Sequence, residues 1–154
     1  RRPGGGALPL VLAAPHGGHL APAELPDRTV GSKVPDVQSL ELAEAVWASF
    51  PPAGRPALVA SLLHRRKLDA NRPCREAADG NAVAAAAWAE YHAALEEELR
   101  AAVARHGFAL LLDLHGQSHR EATELGYALT AEELLLPDAR LGELPSSLRA
   151  LRAL

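Results

Sequence analysis

Residues 7–14 read Ala7-Leu8-Pro9-Leu10-Val11-Leu12-Ala13-Ala14, and Pro15-His16-Gly17-Gly18-His19 follows at once. An apolar run of this length, stopped abruptly by turn residues, reads as a strand buried on both faces. Two later stretches repeat the pattern: residues 57–63, and residues 108–114, which are apolar except for Asp113. Helical patterns separate them. Asp36 stands where an N-cap belongs, at the head of a helix over 36–50 with Leu40, Ala43, Trp47 and Phe50 on one face and Pro51-Pro52 at its end. A longer helix is expected over 81–106, with Trp88, His92, Leu95 and Leu99 on one face, a Glu96–Arg100 pair outside and Gly107 as its C-terminal cap. Strands that alternate with helices and are apolar on both sides indicate an α/β fold with a parallel sheet covered on both faces.

The rest follows from this frame. Residues 1–6 are a flexible lead-in, and residues 7–154 are expected to form a single domain. Residues 20–35 and 64–79 read as loops, the first long enough to suggest a functional role. Residues 125–129 offer a fourth strand, and residues 131–136 and 146–154 offer short helical segments.

Composition narrows the function classes. The chain has 154 residues and a formal net charge of −3, and its one basic cluster is His64-Arg65-Arg66-Lys67. This argues against nucleic acid as a partner. No apolar run approaches the roughly 20 residues that span a bilayer, so no membrane partner is expected either. Cys74 is the single cysteine, which excludes an internal disulfide and a cysteine metal cage. A lone thiol and no visible secretory signal fit a reducing, cytoplasmic setting. Methionine is absent, so the chain reads as a processed product or a piece of a longer one.

All three strands run into ionisable clusters: His16 and His19; His64-Arg65-Arg66 with Asp69, Asn71 and Arg72 after them; and Asp113, His115 and His119. In open α/β sheets ligand sites form beyond the carboxyl ends of strands, where these clusters can converge. Histidine with carboxylate and without cysteine suits a hydrolytic metal centre, in which three protein ligands leave one position for water. The metal lowers that water's pKa from about 15.7 towards 7. The competing reading is that strand-end histidines only satisfy hydrogen bonds. Asp36 reads as a plain N-cap, as a ligand, or as both. Arg28, Arg65 and Arg72 are candidate carboxylate clamps or solvated surface arginines. Asp69 and Asp113 are candidates to orient ligands or to cap loops. His92, on an apolar helix face, reads as a packed histidine. No phosphate-binding loop, dinucleotide fingerprint or nucleophile elbow is present.

The motifs Pro15-His16-Gly17-Gly18, Pro26-Asp27-Arg28, Pro35-Asp36 and Arg65-x-Lys67-x-Asp69-x-Asn71-Arg72-Pro73 resemble the N-formylglutamate amidohydrolase family. Trp88-x-x-Tyr91-His92, Asp113-x-His115-Gly116 and Glu124-Leu125-Gly126-Tyr127 continue the resemblance in the same order, over roughly residues 8–130. That family is related to the zinc carboxypeptidases. The resemblance implies a three-layer α/β/α fold with a mostly parallel mixed sheet and one catalytic metal, zinc or another divalent ion. Its ligands would be His16, Asp36 and His115, with His19 standing where the carboxypeptidases carry a glutamate ligand. Asn71 and Arg72 match the pair that holds the substrate carboxylate, and Arg28, Arg65 and His92 join them as candidate substrate contacts. His19, Asp69 and Asp113 would support the ligands, and Glu124 is the candidate catalytic proton relay. The implied activity is hydrolysis, by metal-activated water, of an amide bond in a small carboxylate-bearing substrate such as an N-acyl amino acid. Residues 137–154 do not resemble the family's C-terminal third, since Pro137 and Pro145 interrupt any strand there. A chain truncated at its C-terminus is therefore expected. The alternative is a catalytically inactive relative that binds a small molecule or a partner.

Overall fold

The apolar run at 7–14 forms β1 (Leu10–Ala14), the central strand of a three-stranded parallel sheet. The computed structural model describes residues 6–118 and, beyond them, residues 121, 123, 124, 126, 132–141 and 143. Pro9 lacks the N–H that a ladder needs, so the strand starts one residue later, although the Pro9 carbonyl accepts from Leu110 N at 2.7 Å. β2 (Ala57–Ala60) pairs with β1 on one side, and β3 (Leu110–Asp113) pairs on the other. Val11, Leu12 and Ala14 are fully buried at the centre.

Helix α1 (Ser39–Ser49) packs Leu40 and Ala43 against Leu12, Ala14, Leu58 and Ala60. The intervening Val59 meets Tyr91 of the long helix α3 (Ala82–His106) instead. Alternate residues of a strand point to opposite faces, so the two helices take alternate residues of β2. Leu12 and Leu58 are 0% and 2% exposed, and burying each contributes about 2 kcal/mol.

The structure moves several expected boundaries. The sheet is wholly parallel among the described residues, not mixed. β3 is an edge strand, so the expectation of a strand buried on both faces fails there, with Leu111 and Leu112 39% and 40% exposed. β2 is shorter than expected because, after Ser61 N donates to Ala14 O at 3.0 Å, residues 62–63 leave β1 and follow Leu20, which bridges to Leu63. Helix α1 starts at Ser39, three residues after Asp36, and its N-cap Gln38 takes a left-handed φ of 63°. Only the Asp36 carbonyl serves the helix, accepting from Ser39 N and Oγ.

The expected loop at 64–79 contains a short helix, α2 (Cys74–Ala78), which is too short to show a period. Helix α3 follows expectation at both ends: Asn81 Oδ1 accepts from Val83 N and Ala84 N, and Gly107 caps the other end at φ 82°. Its buried stripe is Ala84, Tyr91, Glu98 and Ala102, while Trp88, His92, Leu95 and Leu99 are only half-buried. Alanine carries too little hydropathy to mark the face where the helix approaches closest.

Loop 20–35 is strapped down rather than free. Leu25 is buried, Lys67 Nζ donates to Leu25 O and pairs with Asp27 Oδ1 at 2.7 Å, and Thr29 donates from N and Oγ1 to Asp79 Oδ2.

The chain divides into two compact units, residues 1–117 and 118–154. In the second, a 3-10 turn (Glu133–Leu135) occupies part of the expected helical segment at 131–136, and α4 (Asp138–Leu141) follows it. The expected strand at 125–129, the segment at 146–154, residues 1–5 and His119 fall on positions outside the described residues, residue 126 excepted. No helix among the described residues is long and apolar enough to cross a membrane.

Candidate functional site

Three parallel strands deliver three chain ends to one edge of the sheet. β1 runs into His16, β3 runs into Asp113 and His115, and the chain after β2 supplies Arg65, Asp69 and Asn71. Glycines let the backbone turn tightly enough to do this. A Cβ on Gly17 would lie 2.3 Å from Leu40 N, and one on Gly116 would lie 3.2 Å from the Asp36 Cβ. The close approach at Gly116 brings its N–H to Asp36 Oδ2 at 3.1 Å.

His16, Asp36 and His115 form a candidate metal group whose ligand atoms all lie within 4.8 Å of one another. His16 Nδ1 is 3.3 Å from Asp36 Oδ2, and His115 Nδ1 is 3.0 Å from the same oxygen. The outer nitrogens are engaged too: His16 Nε2 donates to Asp69 Oδ1 at 2.7 Å, and His115 Nε2 to Asp113 Oδ2 at 3.0 Å. An ionised carboxylate only accepts, so each Nε2 carries the hydrogen. A neutral ring then turns its Nδ1 lone pair on Asp36. That arrangement requires a second proton on each ring or a cation among the three groups. Two imidazoles and a carboxylate, without sulfur and with each outer nitrogen on a carboxylate, suit zinc or a similar divalent ion. His115 is 36% exposed, which leaves the site open on that side.

The electrostatics agree. Burial by itself raises the Asp69 carboxyl, but hydrogen bonds from His16 and Arg65 outweigh it and hold Asp69 well below the ordinary carboxylate range. Burial likewise opposes ionisation of Asp36, and His115 and Gly116 overcome it. The hydrogen bond to Asp113 raises His115, against partial burial. Asp36, Asp69 and Asp113 meet two arginines here: Arg65 donates from Nε to Asp69 Oδ2 at 3.0 Å and from Nη1 to Asp36 Oδ1 at 3.1 Å, and Arg28 Nη1 lies 3.8 Å from Asp69 Oδ2. With both rings neutral, an excess of negative charge remains for a cation.

The other candidates separate by place. Asn71 Nδ2 lies 3.3 Å from His115 Nε2, at the edge of the group. Arg72 is exposed, with no side-chain hydrogen bond or ion pair to another described residue. His19 is not in the group and pairs with Glu41 at 2.6 Å on the surface. Arg28 is 3% exposed. Its guanidinium donates to the carbonyls of Glu76, Ser32 and Arg65 and lies 3.8 Å from Asp69. It ties loops together behind the site. His92 gives Nε2 to the Ala70 carbonyl at 3.0 Å. Glu124 is exposed and belongs to the second unit. A cavity of about 350 Å³ beside β2 and α3, lined by Leu62, Leu63, Leu68 and Tyr91 among others, includes none of the metal group.

Sequence reasoning missed the Gly116 N–H, the buried Lys67, and Trp88, whose Nε1 donates to Arg72 O at 2.8 Å. Lys67 and Trp88 stand in the motifs quoted above, but neither was given a role there.

The family model of N-formylglutamate amidohydrolase matches residues 75–152, just over half of the chain. The match takes in the motifs around Trp88, His115 and Glu124, and it begins after those at His16, Asp36 and Asn71. It also runs through residues 137–152, beyond the last of the quoted motifs. No curated protein and no solved structure matches the chain. With His115 and its neighbours inside the matched half, the chain belongs to the N-formylglutamate amidohydrolase family.

Proposed function

We propose that this chain is a zinc-dependent amidohydrolase acting on a small carboxylate-bearing amide of the N-acyl amino acid type. One observation carries the reading: two histidine Nδ1 atoms converge on one oxygen of Asp36 while both outer nitrogens are held by carboxylates. His16, Asp36 and His115 would hold the metal. When bound, zinc supplies an acidified water and a Lewis acid for the amide carbonyl. The chain's own residues do the rest. Asp69 and Asp113 hold the rings in the tautomer that presents Nδ1. Arg72 holds the substrate carboxylate by its exposed fork, and Asn71 assists from beside His115. The reading treats residues 7–154 as one domain with the three-layer, carboxypeptidase-like architecture, working in a reducing cytoplasm.

Elemental analysis of untagged protein tests it, beside a His16→Ala, His115→Ala double variant. About one zinc per chain, lost in the variant, together with turnover of N-formyl-L-glutamate or another N-acyl amino acid, is the expected result. No metal in either protein overturns the reading. Metal without turnover of any N-acyl amino acid would favour a non-catalytic domain that binds a small carboxylate.

A further inference from the structure

Trp88 and His92 stand one turn apart on α3, and their rings touch, tilted by 43° with centroids 4.1 Å apart. Each spends its ring N–H on the same short stretch of chain. His92 Nε2 reaches the Ala70 carbonyl at 3.0 Å, and Trp88 Nε1 reaches the Arg72 carbonyl at 2.8 Å. A carbonyl oxygen only accepts, so the hydrogen of His92 sits on Nε2. The residue between the two held carbonyls is Asn71, whose own N–H goes to Asp69 Oδ1 at 3.2 Å and whose amide lies 3.3 Å from His115 Nε2. Tyr91 meets the His92 ring edge-on at 5.2 Å and is itself buried, which fixes that ring from behind. Helix α3 is capped at both ends, so the pair sits on a rigid element.

We propose that Trp88 and His92 are positioning residues: a clamp from α3 that presets Asn71 and Arg72 for the substrate carboxylate without touching the substrate. For turnover this rests on the amidohydrolase reading; for the placement of Asn71 it does not. Loss of the clamp loosens a contact made equally in ground and transition states, which raises KM and leaves kcat.

The experiment compares the full chain with His92→Phe, His92→Gln and Trp88→Phe, using two readouts. The first is the Asn71 side-chain amide in a nitrogen–proton correlation spectrum, assigned by its loss in Asn71→Asp. The parent and His92→Gln, which keeps a donor near Nε2, are expected to show one dispersed amide pair. His92→Phe and Trp88→Phe, which keep an aromatic ring and lose the donor, are expected to shift it towards the unstructured position. The second readout is turnover of N-formyl-L-glutamate: KM is expected to rise about tenfold in the two Phe variants, with kcat within about twofold and with rescue by Gln. An unmoved Asn71 amide in both Phe variants overturns the clamp, as does an unchanged KM. A parent chain without turnover overturns the amidohydrolase reading, and the amide resonance still decides the clamp.

Discussion

His16 donates from Nε2 to Asp69 Oδ1 at 2.7 Å, and both side chains are almost completely buried. The matching bond from His115 to Asp113 is 3.0 Å long and lies near the surface. The two halves of the candidate metal group are therefore built alike and supported unequally. Arg65 and Arg28 pack against Asp69 as well, so the His16 half is fixed by the surrounding loops. The His115 half stands on an edge strand beside solvent.

Asp69→Asn is expected to lower zinc affinity about 10–100-fold, because an amide no longer fixes which ring nitrogen of His16 carries the hydrogen. Asp113→Asn is expected to cost less, since an exposed His115 can recruit water in place of the carboxylate. Competition against a chelator at neutral pH, in parent and both variants, measures this. Equal losses would refute the asymmetry.

Gly17→Ala is expected to destabilise the chain by about 3 kcal/mol, the upper end of ordinary overpacking. The new Cβ would meet Leu40 N at 2.3 Å, and a backbone nitrogen at a helix start cannot swing aside. Gly54→Ala is the control, with Pro51 Cγ at 3.5 Å as its nearest neighbour, and should stay within about 0.5 kcal/mol. Urea denaturation of the two variants separates them.

The sheet and the meeting of its strand ends were legible because apolar runs and the polar clusters after them are local signals. His16 and His115 were found this way. The start of α1 was misread because Asp36 carries good N-cap chemistry, yet its carboxylate has stronger partners in Arg65, His115 and Gly116, all distant in sequence. The exposure of β3 was hidden for a similar reason: an apolar strand does not reveal whether it lies at the centre or the edge of a sheet. Arg28 looked like a clamp for substrate because nothing near it in sequence discloses the three carbonyls it holds.

Those three carbonyls set a prediction for Arg28. Arg28→Met is expected to destabilise the chain by about 3–5 kcal/mol, since it strips buried acceptors of their donor and leaves Asp69 with one fewer counter-charge. Arg28→Lys should recover little, because one ammonium cannot reach the carbonyls of residues 32, 65 and 76 together. Thermal unfolding of metal-free protein measures both. Full recovery by lysine would mean that the charge alone matters.

Asp79 gives the chain an acid-sensitive strap. Its carboxylate accepts the Thr29 N–H at 2.6 Å and the Thr29 hydroxyl at 2.8 Å, and these bonds pull its pKa below the ordinary 3.8. A carboxyl lowered in the folded state contributes stability that is complete above its unfolded value and is lost as pH falls through the folded one. Protection of the Thr29 amide from hydrogen exchange, normalised to the intrinsic rate, should hold from neutrality to about pH 5 and disappear below 3.8. Asp79→Asn should show weaker protection that no longer varies across that window, because its amide oxygen still accepts but carries no charge to lose. Protection that survives unchanged into strong acid in the parent chain would show that the carboxylate does not hold the loop.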